Sequence, residues 1–148
     1  MNVELLHRIK AHILENPMRI YMGAWSIELE ERQECESDSG EMLMAPDCGT
    51  VACICGWAER LSGAKGSLGQ TGGEGQTGGK LLGLHGSSSF PAFVSTSTNF
   101  SEAQRLFHEE CWPQDLRDRL AVATLQSAEY ARVVADRIDR FIATDGKE

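Results

Sequence analysis

Four residues have the types and spacing to hold a metal ion: Cys48 and Cys53, with four residues between them, and His108-x-x-Cys111 further along. Three thiolates with one imidazole form a known structural zinc set, because zinc takes sulfur and imidazole nitrogen in tetrahedral geometry. The pattern is weaker than C-x-x-C twice over, since it requires the two pairs to meet in space. A second chemistry needs Cys53 alone. A cysteine in the first turn of a helix lies where amide dipoles favour an anion and lower a thiol pKa. Cys53 would then be the nucleophile of a thiol enzyme, or a redox partner of Cys48, with His85 or His108 brought up as base. The third reading is packing: cysteine behaves as a small hydrophobe and is often interior. On that reading Cys53 fills a gap too small for leucine, and neither a catalytic residue nor a cofactor is expected. Cys55 points to a different face from Cys53, so one tetrahedral site would not use both.

The element that must position these cysteines is a short helix expected to begin at Thr50, whose hydroxyl suits an N-cap. Gly49 before it permits a sharp turn. Ile54, Trp57, Ala58 and Leu61 then recur at i, i+3, i+4 and i+7, one apolar face of a helix. Gly63 is the expected stop. Gly56 inside the helix predicts that another backbone packs closely there. This buried helix is the expected centre of the molecule.

The rest of the chain supplies elements to pack around it. Residues 2–15 carry an apolar stripe at Val3, Leu5, Leu6, Ile9, Ile13 and Leu14, ended by Pro17. His7 and His12 on this helix read as surface polar groups. The connector 17–25 brings Ile20, Met22 and Trp25 to the central helix, and a short helix is expected to continue over 26–34. Ser101 and Gln104 match a capping box. Pro113 starts a helix over 114–125, and Ser127 caps the last one, whose inward residues are Tyr130, Val134, Ile138, Phe141 and Ile142. Its Arg132, Arg137 and Arg140 lie among Glu129, Asp136 and Asp139 at the spacings of surface ion pairs. The expected fold is all-α: one domain over 1–148, about five helices around the central one, with two long irregular inserts.

Those inserts have opposite character. Residues 28–47 hold eight carboxylates against the single Arg32, a local −7 within a formal net charge of −8. An acidic chain without a basic stripe argues against phosphate-mediated binding of DNA or RNA. Glu28, Glu30, Glu31, Glu34, Glu36, Asp38 and Glu41 are the candidate residues for contacting a basic protein partner; a solvated loop is the plainer reading. Residues 64–80 are rich in glycine and contain GQTGG twice, at 69–73 and 75–79, which predicts a flexible loop. Gly79-Lys80 does not complete a phosphate-binding loop, because Glu74 stands where the first glycine is needed and Leu81 where Ser or Thr is needed. Leu81, Leu82 and Leu84 return the chain to the core. No apolar run is long enough to cross a bilayer, and 1–16 lack the apolar stretch of a signal peptide. A reducing, cytoplasmic setting with the five cysteines as thiols is expected.

Taken in order, Pro17, Arg19, Met22 and Trp25, then CGTVACICGWA at 48–58, Leu82-Gly83-Leu84, Leu106-Phe107, Trp112-Pro113 and RIDRFIAT at 137–144 resemble a family of small uncharacterised proteins of bacterial and phage genomes. The likeness spans nearly the whole chain apart from the two inserts, and Cys55 departs from it, because a small residue other than cysteine is usual there. It implies one shared, all-helical fold with Cys48 and Cys53 in the common pattern, and no activity. With no H-E-x-x-H, G-x-S-x-G or nucleotide loop in the sequence, the expected function is that of a non-enzymatic accessory protein. It would bind another protein, such as a host defence or regulatory protein, in a bacterial or phage-infected cell.

Overall fold

The computed structural model describes residues 1–24, 26–29, 34–36, 40, 42–63, 74–85 and 100–148. Trp25, residues 64–73 and the 90–99 piece lie outside them. Among the described residues the chain forms six α-helices and two antiparallel strand pairs, so it is mostly helical and not purely so.

Helix α1 (Val3–Glu15) starts where the Asn2 carboxamide accepts from the Leu5 N–H at 3.1 Å, and it buries Leu5, Leu6, Ile9 and Ile13. Val3 and Leu14 fall off that face and stay exposed. A 3₁₀ turn, Pro17–Arg19, follows. The expected helix beyond it is instead strand β1 (Ser26–Glu28), paired with β4 (Thr50–Ala52) in the register Ile27 opposite Val51. Thr50 is therefore a buried strand residue and not a helix cap. On its other side β4 accepts the Tyr21 N–H at the Ala52 carbonyl, so the tripeptide is hydrogen-bonded on both edges. Gly49, with φ of +66°, makes the turn into β4, and a Cβ there would sit 3.0 Å from the Leu29 carbonyl oxygen.

The central helix is present, but its N-cap falls three residues later than expected. Helix α2 (Ile54–Ser62) has Cys53 as its N-cap residue and Gly63, at φ of +72°, as its left-handed stop. Ile54, Trp57 and Ala58 are buried as the spacing predicts, and Leu61 is half-buried. A close backbone approach to this helix comes from the second GQTGG, at Cys55 and not at Gly56. Residues 74–80, expected as loop, form helix α3 with Leu81 (Glu74–Leu81), whose Gly78 lies against Cys55 so tightly that a Cβ would overlap the Cys55 sulfur and come within 2.9 Å of its carbonyl oxygen. A sequence of poor helix propensity is helical here with Gly78 letting its backbone seat on α2.

Helix α4 (Glu102–Phe107) carries the complete Ser101/Gln104 capping box. A 3₁₀ turn, Glu109–Cys111, leads to α5 (Gln114–Val122), and α6 (Ala128–Ala143) is capped by the Ser127 hydroxyl, which accepts from the Tyr130 N–H at 3.2 Å. Helices α1, α4 and α5 pack on α6, and α1, α3 and α4 on α2, around one apolar cluster that includes Trp57, Trp112 and Phe141. The indole N–H groups of Trp57 and Trp112 donate to the carbonyls of Arg19 (2.9 Å) and Leu106 (3.1 Å), so neither ring is buried with an orphaned donor.

The α6 arginines correct the surface-pair expectation. Arg137 is fully buried, donates to the carbonyls of Arg105 and Glu148, and burial pushes its guanidinium down to about 10. Arg140 reaches Asp115 on α5, while Asp136 and Asp139 pair with Arg119 and Lys10 on other helices. Only Arg132 keeps a partner on α6, Glu129 at 3.7 Å. Among the described residues no helix is long and apolar enough to cross a membrane.

Candidate functional site

The cysteines were the sharpest chemical candidates in the sequence, and the fold disperses them. Cys48 is exposed on the turn before β4, with its thiol 3.5 Å from the Thr50 carbonyl. Cys53 and Cys55 are buried with the apolar cluster, and Cys111 is half-buried at the end of a 3₁₀ turn, three residues beyond His108. Among the described residues no three His, Cys, Asp or Glu side chains are arranged to hold a metal ion, so Cys48, Cys53, His108 and Cys111 do not come together as a zinc set.

The position of Cys53 at the start of α2 favours a thiolate only in part. Amide N–H groups of Gly56 and Cys55 pull its pKa down, but burial pushes it up by more, and the net direction is upward. Burial raises the Cys55 and Cys111 thiols as well. This is the opposite of an activated nucleophile. Among the four cysteines whose side chains are described, a thiol reagent at neutral pH should modify Cys48 first in the native protein, whereas Cys53 and Cys55 should react only at the rate of unfolding. Rapid native labelling of Cys53, located by peptide mapping, would contradict the packing role.

A dense polar cluster among the described residues carries no motif in the sequence, because Asp47, which closes it, lies 28 positions from Arg19. Arg19, the last residue of the first 3₁₀ turn, is buried and forks onto Asp47, with Nε to Oδ1 at 3.0 Å and Nη2 to Oδ2 at 2.6 Å. Its Nη1 reaches Glu15 at 2.6 Å and the His12 carbonyl at 2.9 Å. Asn16 donates to the same Asp47 oxygen at 2.9 Å. His12, expected at the surface, is half-buried. Its ring stands edge-on to Trp57 with centroids 4.2 Å apart, its Nδ1 lies 3.2 Å from Arg19, and its Nε2 is buried with no hydrogen-bond partner. Burial, then Arg19, holds the His12 pKa below its ordinary value. The knot ties α1, the 3₁₀ turn, the Asp47 turn and α2 together, and it consumes its own charges.

Among the described residues, two surfaces have the character of binding sites. One is β3 (Met42–Met44), paired with β2 (Glu34–Glu36) so that Met42 faces Glu36 and Met44 faces Glu34 across the ladder. Leu43 is fully buried beneath it, while Met42 and Met44 are 54% and 41% exposed. The strand is pinned from behind by Gln126, whose carboxamide accepts from the Met44 N–H and donates to the Met44 carbonyl, both at 2.8 Å. The other is a cleft of about 580 Å³ between the connector and α5, lined chiefly by Tyr21, Leu120, Leu125 and Tyr130.

No known family, curated protein or solved structure matches this chain.

The acidic set divides once its partners are counted. Asp47 belongs to the Arg19 knot, and exposed Glu28 pairs with Arg60 at 3.0 Å. Glu36 is exposed on β2. Glu30, Glu31, Asp38 and Glu41, with the side chain of Glu34, lie outside the described residues. The signal for the methionine face was present in the sequence as Met42-Leu43-Met44, where period-two alternation places the middle residue inward and its neighbours outward.

Proposed function

We propose that this is a non-catalytic binding protein that acts by protein–protein contact, through the acidic 28–47 segment and the methionines of β3. The observation that carries this reading is the pair Met42 and Met44, exposed on either side of buried Leu43 and facing glutamate positions of β2. Methionine is unbranched and polarizable, and it fits apolar partner surfaces of varied shape. The surrounding carboxylates supply the longer-range attraction, so the partner that fits is a protein with a basic surface bearing apolar side chains. Glu30, Glu31, Glu34, Glu36, Asp38 and Glu41 are the charges assigned to that contact; Glu28, held by Arg60, is a peripheral member.

Deleting 28–47 would not test this, because it removes Leu43 from the core and Asp47 from Arg19. Instead the six carboxylates are changed to their amides in one variant, and Met42 and Met44 to serine in another. Affinity capture from host lysate at low and at physiological salt should lose the same basic partner with each variant. The charge variant should also abolish the salt dependence of capture by the parent protein. Retention of every captured protein by both variants would refute the reading.

A further inference from the structure

The cleft between the connector and α5 is chemically distinct from the acidic ribbon. Its volume of about 580 Å³ falls in the range of small-molecule sites. Tyr21, Leu120, Leu125 and Tyr130 give it an apolar wall with two phenol rings, and the Tyr130 oxygen is fixed by the Met22 N–H at 3.1 Å. Gly23 keeps that wall in place, because a Cβ there would run into the end of the Tyr21 ring. Beside the apolar part, Glu109 and Glu110 bring two carboxylates and Arg117 one guanidinium, leaving the lining with a net negative charge. Arg117 is also turned toward its own helix, where it donates to Gln114.

We propose that this cleft binds a small organic cation, an ammonium or guanidinium on an aromatic or alkyl body. The body covers Leu120, Leu125 and the tyrosine rings, removing apolar surface from water. The charge meets Glu109 and Glu110, with the ring faces adding cation–π attraction. Arg117 opposes the cation, which makes its removal diagnostic. A residue that merely supports the fold would not improve binding when replaced. The site uses none of the residues assigned to the protein contact, so the two readings fail separately.

The full chain is titrated with benzamidine, benzyl alcohol and benzoate, following the amide resonances of Gly23, Ala121 and Leu125 by NMR. Benzamidine should shift them saturably, benzyl alcohol weakly and benzoate not at all. The Glu109→Gln/Glu110→Gln double variant should weaken benzamidine about tenfold, and Arg117→Gln should tighten it about threefold, as expected for partly exposed charges. The ribbon variant with six amides should bind it unchanged. Preference for benzoate, or equal binding of all three probes by every variant, would overturn the proposal. So would an arginine-bearing peptide that shifts these amides when free benzamidine does not, because the occupant would then be a protein side chain.

Discussion

Replacing Arg19 with methionine should lower stability by about 3 kcal/mol, read as a fall in the urea midpoint with an unchanged slope. Methionine keeps the apolar stem, so the loss isolates the guanidinium. What disappears is a fork onto Asp47 and the bonds to Glu15 and the His12 carbonyl, made by a buried group where charge-assisted bonds are strongest. The two carboxylates are left in water and lose little; the cost falls on the uncoupling of α1 from the turn that carries β4 and α2. Arg19→Lys should recover only part of the loss, since an ammonium cannot fork onto Asp47.

Acid should weaken the same knot in two steps. The folded-state pKa of His12 lies below its ordinary 6.5, so its contribution is complete above pH 6.5 and is lost as pH falls through the lowered value. Asp47 is also depressed, from 3.8, chiefly by its bond to Arg19; its contribution is lost only when pH falls below that range. In Arg19→Met the guanidinium no longer opposes a charged His12, and the first step should shrink. An acid profile identical in the parent and the variant would show that the knot is not the titrating unit.

Gly78→Ala should cost about 2–3 kcal/mol, an overpacking penalty unusual for a glycine in a helix, where alanine normally helps. The new methyl would overlap the Cys55 sulfur, which α2 holds rigidly. Adding Cys55→Ala should return more than half of that loss, because the sulfur is removed while the Cys55 carbonyl, at 2.9 Å, still crowds the methyl. The two changes should therefore be strongly non-additive in a double-mutant cycle. Additive effects would mean that α3 does not seat on α2 through this contact.

The features legible in the sequence were those set by local chemistry. Asn16-Pro17 ended α1, Ser101 with Gln104 and Ser127 opened their helices, and Gly63 closed α2, because caps and breakers act within a few residues. The apolar face Ile54, Trp57 and Ala58 was legible because burial follows the helical period. What the sequence concealed depended on distant partners. Thr50–Ala52 is a strand only because Ser26–Glu28 lies beside it, and a threonine before a helical pattern reads equally well as a cap. Residues 74–81 are helical because Cys55 offers a seat for Gly78, which no propensity scale contains. Arg19 meets Asp47 across 28 positions, and His12 was misread because its burial comes from Trp57. For the site, the cysteines attracted chemical readings through their spacing, whereas the open surfaces rest on a two-residue alternation and on a cleft that no motif announces.

Helix α2, entered from β4 through Cys53, is the buried element against which α1, α3 and α4 pack. Native-state hydrogen exchange of the Trp57, Ala58 and Leu61 amides tests it most directly. These protons should exchange only with global unfolding, slowing in step with measured stability and speeding by the full loss in Arg19→Met. Exchange at the rate of surface loops, indifferent to that substitution, would contradict it.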